Sequence, residues 1–160
     1  MIFDLLNEPH DTLVKTWVDW AYLLTDRVRA IDPQRVVMVG GLDWAYDLRG
    51  VWLDLPNVIY STHVYPNKGL DWDRCFGDLA REVPVFAGEF GGWDEDLDWG
   101  TKLMDYFDER TMGWTAWSWR DKPHLQQSGV ATRFGSLVKE RLQRIEGTFC
   151  ADMKETRPPV

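Results

Sequence analysis

Residues 1–9 read Met-Ile-Phe-Asp-Leu-Leu-Asn-Glu-Pro, an apolar run that ends in reactive polar residues and a proline. The run predicts a buried strand, and Pro9 ends it. The same pattern returns at residues 57–66, which end in His-Val-Tyr-Pro, and at residues 83–92, which end in Gly-Glu-Phe-Gly-Gly. Each of these strands therefore carries its polar side chains at its C-terminal end.

Strand and helix patterns alternate along the chain. We predict strands at residues 1–6, 35–39, 57–64, 83–90 and 113–119. Between and after them we predict a helix capped by Asp11 or Thr12, a short helix over 72–79, one around 103–107 and a last one over 134–145. A strand-to-strand spacing of about 20 to 35 residues with apolar strands indicates a parallel sheet covered by helices. In (β/α)8 barrels, the C-terminal ends of the strands form the active site.

Composition excludes several classes of function. The chain has 160 residues, of which 44% are hydrophobic, and its net charge is −8. An acidic chain without a basic cluster predicts no nucleic-acid or membrane partner, and no apolar run is long enough for a membrane span. Neither a GxGxxG nor a GxxxxGK[ST] motif is present, so no nucleotide is expected. We predict one domain over residues 1–146 and a flexible C-terminal tail over 147–160.

Two glutamates end predicted strands. Glu8 directly precedes Pro9, and Glu89 is followed by Phe90 and then by two glycines. Each could cap a helix or form a surface ion pair. However, burying an unpaired carboxylate is costly, and two of them at the ends of apolar strands favour a functional role. A carboxylate pair is the chemistry that glycosidic cleavage requires.

Four motifs, in this order, resemble family 5 of the glycoside hydrolases, the cellulase-type group. Residues 7–9 resemble its Asn-Glu-Pro signature, and residues 61–66 resemble its His-x-Tyr strand end. Residues 85–91 resemble the strand that carries its nucleophile, and residues 114–119 resemble its last strand. The resemblance covers about residues 1–145.

The resemblance implies a role for each matching residue. Glu8 would be the general acid/base, and Asn7 would bind the sugar 2-hydroxyl. Glu89 would be the nucleophile, oriented by Tyr65. His63 would form a hydrogen bond near the cleavage subsite. From the residues alone, the alternatives are that His63 is a core histidine and that Tyr65 is a turn residue.

Aromatic residues are the candidates for stacking on sugar rings. The resemblance implies that Trp117 lies under the sugar at the cleavage subsite, with Trp119 as the competing assignment. Trp44 either lines a further subsite or packs in the protein. No metal or organic cofactor is expected, because two carboxylates suffice.

Taken together, the sequence predicts a retaining β-glycoside hydrolase similar to an endo-β-1,4-glucanase. The five strands would match strands four to eight of a (β/α)8 barrel, which needs about 250 residues. We therefore expect this chain to be the C-terminal part of a longer enzyme, with the missing N-terminal half-barrel as a covalent or non-covalent partner. We expect the longer enzyme to be extracellular, although residues 1–6 do not resemble a signal peptide. The alternative is an inactive fragment or a carbohydrate-binding half-barrel that needs a partner chain. Cellulose, mannan, xyloglucan, β-1,3-glucan and glycolipid all remain open as substrates.

Overall fold

The computed structural model describes the backbone of residues 1–155 and the side chains of residues 1–147. The chain divides into two compact units. The first comprises Met1–Phe90 and Tyr106–Thr115, and the second comprises Gly91–Asp105 and the chain from Ala116 onward.

A five-stranded parallel sheet confirms the predicted strands. Its strands are β1 (Phe3–Asp4), β2 (Val37–Gly40), β3 (Val58–Val64), β4 (Val85–Phe90) and β5 (Gly113–Ala116). They lie side by side in chain order. A sheet whose neighbouring strands are joined by crossovers in sequence order is the arrangement of a partial (β/α)8 barrel.

The first helix, α1 (Val14–Arg29), connects β1 to β2. It buries Trp17, Ala21 and Thr25, which follow each other at four-residue intervals on one face. Trp17 Nε1 donates a hydrogen bond of 2.8 Å to the Gly40 carbonyl oxygen, which anchors α1 to the end of β2. The predicted cap at Asp11 or Thr12 is wrong. Leu13 occupies the N-cap position and forms no side-chain cap, because its apolar side chain has no acceptor atom.

The connection from β3 to β4 contains short helical turns instead of the regular helix predicted over residues 72–79. These are a 3-10 turn at Pro66–Lys68, a π-helical turn at Asp73–Gly77 and a 3-10 turn at Leu79–Arg81. The predicted apolar positions Cys75 and Phe76 are nevertheless buried. The hydrophobic pattern therefore identified the inner face of this segment but not its hydrogen-bonding pattern.

Two longer helices follow, α2 (Leu97–Glu109) and α3 (Arg133–Glu155). Before α3 lies a hairpin that the sequence did not predict, formed by β6 (Gln126–Gln127) and β7 (Val130–Ala131). The helix α3 continues to Glu155, so the chain remains helical past the predicted domain boundary at residue 146. Residues 156–160 lie outside the described residues, and the flexibility of the tail over 147–160 stays a prediction.

Apolar side chains are exposed beside β1, which is an edge strand. Phe3 is 42% exposed, Leu6 50% and Trp20 of α1 55%. A second group, Met1, Phe3, Val28 and Ile31, lines a neighbouring depression. Exposed apolar side chains next to an unpaired strand edge are suited to packing against a further β/α unit. No described helix is both long and apolar enough to cross a membrane.

Candidate active site

A bulge in β4 determines which side chains face each other at the end of the sheet. Thr62 of β3 is opposite Ala87 of β4, but the next residue, His63, is opposite Glu89. Gly88 is therefore the extra residue. Successive side chains of a strand point to opposite faces, so one added residue changes the face on which all later residues lie. The bulge thus places Glu89 on the same face as His63.

Gly88 is required for close packing at this bulge. A Cβ atom at this position would clash with Ser61 Oγ and would lie 3.0 Å from His63 Nε2. The Thr115 hydroxyl donates a hydrogen bond to the Gly88 carbonyl oxygen and holds the bulge from the β5 side. A glycine inside a strand often marks a bulge or a close approach, and here it marks both.

His63 lies between the two predicted catalytic carboxylates. Its Nδ1 atom is 3.1 Å from Glu8 Oε1 and 3.6 Å from Glu89 Oε2. One oxygen of each carboxylate and the histidine nitrogen all lie within 4.8 Å of one another. The His63 residue is only 3% exposed, whereas the Glu8 and Glu89 side chains are 28% and 16% exposed. The histidine is therefore fixed below a carboxylate pair that solvent can reach.

Tyr65 completes the cluster from the end of β3. Its hydroxyl donates a hydrogen bond of 2.7 Å to Glu89 Oε2. Burial raises the pKa of Tyr65, and the neighbouring Glu89 and Glu8 carboxylates raise it further. The phenol thus stays protonated and remains a donor. A hydrogen bond to the charged form of a carboxylate favours that form.

The loop after β1 presents Glu8. Its backbone has a positive φ of 50°, a conformation that few non-glycine residues adopt. The His10 Nδ1–H donates a hydrogen bond of 2.8 Å to the Glu8 carbonyl oxygen and braces the turn. Such strain is characteristic of functional sites, where the surrounding structure determines the direction of a side chain.

Asn7 and Trp44 lie on two different loops, Asn7 directly before Glu8 and Trp44 after β2. Asn7 is exposed and lines a cleft of about 400 Å³ together with Glu8, Trp17 and Trp20. Trp44 is 44% exposed and belongs to a run of three left-handed residues, Asp43–Ala45.

The Trp44 ring already contacts two side chains of its own chain. It is stacked on His10, with the ring centroids 4.9 Å apart, and Lys68 Nζ lies 4.7 Å from its centroid. Lys68 is itself held by Asp43 at 2.9 Å. The ring thus packs against its own chain and is still partly exposed, and the choice between packing and a further sugar subsite stays a prediction.

The family assignment comes from the sequence as a whole. The family model for cellulases, glycosyl hydrolase family 5, matches residues 1–123. This range includes the whole cluster just described.

The chain belongs to glycosyl hydrolase family 5.

Curated relatives of this family 5 chain are named endoglucanases. Endoglucanase A of Evansella cellulosilytica is 30% identical over 153 residues, which cover 85% of this chain and 30% of the relative. Endoglucanase N of Pectobacterium atrosepticum is 28% identical over 171 residues, which cover 89% of this chain and 38% of the relative. The chain thus spans about a third of the length of these relatives.

Solved structures share the fold. A β-glucanase from Saccharophagus degradans in complex with cellotetraose has a TM-score of 0.81 at 21% identity, covering 90% of this chain and 54% of that one. The catalytic domain of a Thermobifida fusca endoglucanase, also with cellotetraose, has a TM-score of 0.75 at 20% identity, covering 89% and 57%.

The two candidate tryptophans of the last predicted strand lie in the second unit of the family 5 chain. Trp117 is half-buried, and its indole N–H donates a hydrogen bond of 3.1 Å to the Lys122 carbonyl oxygen. Trp119 is 72% exposed, and its carbonyl oxygen accepts a hydrogen bond of 2.9 Å from Gln126. Strand β5 ends at Ala116, so both tryptophans follow the strand instead of lying within it. The choice between them stays a prediction.

Sequence reasoning missed Gly88, Lys68 and Asp43. Gly88 could have been found, because it is a glycine inside an apolar strand directly before a carboxylate. Lys68 and Asp43 approach each other only through the folding of two loops, and no local pattern indicates that contact.

Proposed function

We propose that the chain supplies the catalytic carboxylates of an endo-β-1,4-glucanase that retains the anomeric configuration. The observation that carries this proposal is the separation of Glu8 and Glu89, whose closest ligand oxygens lie within 4.8 Å. Retaining glycosidases hold their carboxyl groups about 5–5.5 Å apart, and inverting ones about 6.5–9.5 Å apart. The short separation leaves no room for a water molecule between sugar and base, which supports direct attack by a carboxylate.

In the first step, Glu89 attacks the anomeric carbon and Glu8 protonates the glycosidic oxygen. The carbon–oxygen bond to the leaving sugar breaks, and an ester forms between Glu89 and the remaining glycosyl group. Glu89 suits the role of nucleophile because Tyr65 donates to its Oε2 atom and because it is the more buried of the two side chains. Glu8 suits the role of acid because it is the more exposed and can reach a leaving oxygen.

In the second step, Glu8, now a carboxylate, takes a proton from water. The resulting hydroxide equivalent attacks the anomeric carbon and releases Glu89. His63 lies within contact distance of both carboxylates and so orients the pair through both steps. Asn7, on the same loop as Glu8, would bind the sugar 2-hydroxyl.

A β-1,4-glucan is the proposed substrate. The curated relatives are named endoglucanases, and two structural neighbours were solved with cellotetraose. Trp117, with Trp119 as the competing assignment, is the proposed platform for the sugar at the cleavage subsite, and Trp44 is the proposed contact for a further sugar ring. An extracellular location suits a polymeric substrate and stays a prediction.

We further propose that hydrolysis requires more strands than the five present. The sheet leaves β1 and β5 as its edges, and apolar side chains are exposed beside β1. A closed barrel of this type has eight strands. The missing half-barrel could be joined covalently or could bind as a separate chain, and the alternative, a non-catalytic carbohydrate-binding half-barrel, predicts sugar binding without turnover.

Sugar release from soluble β-1,4-glucan tests the proposal. The chain is assayed alone and mixed with a polypeptide that supplies three further β/α units of a family 5 barrel. Activity that depends on Glu89, and disappears in Glu89→Gln, supports catalysis. Saturable binding of cello-oligosaccharides, with no hydrolysis by the chain alone or by the mixture, would favour the carbohydrate-binding half-barrel instead.

A further inference from the structure

We propose that the cluster of Glu8, His63 and Glu89 also binds a divalent transition-metal ion, for which Zn²⁺ is the probe. This inference rests on the geometry of the three side chains and not on the proposed hydrolysis. The ion would be an inhibitory ligand, because it would occupy the two carboxylates that the reaction needs free.

The spacing of the donor atoms suits a zinc ion. Two ligands of a tetrahedral Zn²⁺ with bonds of about 2.0–2.1 Å lie about 3.4 Å apart. The His63 Nδ1 atom is 3.1 Å from Glu8 Oε1 and 3.6 Å from Glu89 Oε2, so both distances are close to this value. The remaining separation, between the ligand oxygens of Glu8 and Glu89, is within 4.8 Å, and a small rotation of the partly exposed Glu8 side chain would shorten it.

The chemistry of the donor set selects the class of ion. An imidazole nitrogen with two carboxylates suits zinc and similar transition metals, whereas Ca²⁺ and Mg²⁺ prefer all-oxygen sites. Two negative charges around one dication also give a favourable charge balance. Coordination of Zn²⁺ through Nδ1 requires the neutral imidazole ring, which would then carry its proton on Nε2.

The buried His63 makes one side of the site rigid, and the partly exposed Glu8 and Glu89 leave the other side open to solvent. His63 is 3% exposed, and its backbone N–H donates a hydrogen bond of 3.2 Å to the Ala45 carbonyl oxygen. The hydroxyl of Tyr65 donates a hydrogen bond to Glu89 Oε2 and so fixes this carboxylate, as the partners of metal ligands commonly do. Because the side chains of Glu8 and Glu89 are partly exposed, the ion and its water ligands can reach them from solvent.

Calorimetric titration of the 160-residue chain with ZnCl₂ tests the proposal without any substrate. We expect one site, with His63→Gln and Glu8→Gln each weakening Zn²⁺ binding about a hundredfold or more, since losing a ligand costs at least as much as losing its supporting partner. His124→Gln is the matched control. It removes another of the three histidines, one outside the cluster of Glu8, His63 and Glu89, and should leave the affinity unchanged. An excess of Ca²⁺ should not displace the zinc.

Binding that survives both Glu8→Gln and His63→Gln, or that is lost in His124→Gln, would overturn the proposal. If His63→Gln fails to fold by circular dichroism, Glu8→Gln decides alone, because that side chain is partly exposed. The visible spectrum of bound Co²⁺ is an independent readout, and a spectrum unchanged by Glu8→Gln would equally overturn the proposal. A chain that binds zinc but does not hydrolyse glucan even when complemented with three further β/α units would contradict the proposed function and leave this inference intact.

Discussion

Glu89 lies directly opposite His63 because β4 contains one residue more than β3 at that point. Without the bulge at Gly88, the alternation along β4 would direct Glu89 to the other face of the sheet. The carboxylate pair of this family 5 chain therefore depends on a backbone irregularity as much as on the two acidic residues.

Gly88→Ala should disturb both the fold and the site. The added methyl group would clash with Ser61 Oγ and press on His63, and overpacking of this kind costs about 1–3 kcal/mol of the free energy of unfolding. Denaturant unfolding measures the loss. Gly147→Ala is the control, because a Cβ at that exposed helical position meets no atom within 4 Å and should stabilise by up to about 1 kcal/mol. Equal effects of the two substitutions would show that the bulge is not tightly packed.

Tyr65→Phe should lower kcat without a comparable change in KM. The substitution removes the donor to Glu89 Oε2, and a hydrogen bond to a charged group contributes about 1.5–3 kcal/mol, or about 10- to 100-fold in rate. Steady-state kinetics of the active assembly measure the effect. Tyr22→Phe, in α1, should leave kcat unchanged, because the Tyr22 hydroxyl accepts a hydrogen bond from the Asp54 backbone N–H and donates none to the two glutamates. A Tyr65→Phe variant with full kcat would show that the hydrogen bond from Tyr65 to Glu89 does not contribute to catalysis.

The chain should lose stability at alkaline pH. Burial raises the pKa of Tyr46, Tyr60, Tyr65 and Tyr106 above the ordinary value of 10.0, and carboxylates beside Tyr65 and Tyr106 add to the effect. Above pH 10 the unfolded chain releases these protons while the folded chain keeps them. The stabilisation is therefore complete below pH 10 and declines as the pH rises beyond it.

Denaturant unfolding between pH 8 and pH 12, together with tyrosinate absorbance, measures this decline. In Tyr46→Phe, the free energy of unfolding should fall less steeply with pH. Tyrosinate that appears in the folded chain at the same pH as in the unfolded chain would contradict the predicted pKa shifts.

The pattern of the sequence predicted the parallel sheet well. Apolar runs at 35–39, 57–64 and 83–90 became β2, β3 and β4 within two residues at each end, because strands buried on both faces need continuous apolar residues. The predicted strand at 1–6 is only Phe3–Asp4 in the structure, because β1 has a neighbour on one side only. Strand β1 therefore forms only a short pairing with β2.

The candidate site was predicted in part. The positions of Glu8, His63, Tyr65 and Glu89 at strand ends followed from the sequence, and the structure brings their side chains together. Their mutual distances could not be predicted, because they depend on the bulge at Gly88 and on the left-handed turn at Glu8. Such features arise from tertiary packing and leave only a weak local signal.

The stereochemistry of hydrolysis tests the central claim most directly. The chain, complemented with the missing β/α units, is mixed with a soluble cello-oligosaccharide, and ¹H NMR identifies the anomer that forms first. If Glu89 is the nucleophile and Glu8 the acid/base, the β anomer appears first, and Glu89→Gln gives no product. Initial formation of the α anomer, or undiminished hydrolysis by Glu89→Gln, would contradict the retaining mechanism and the roles of both glutamates.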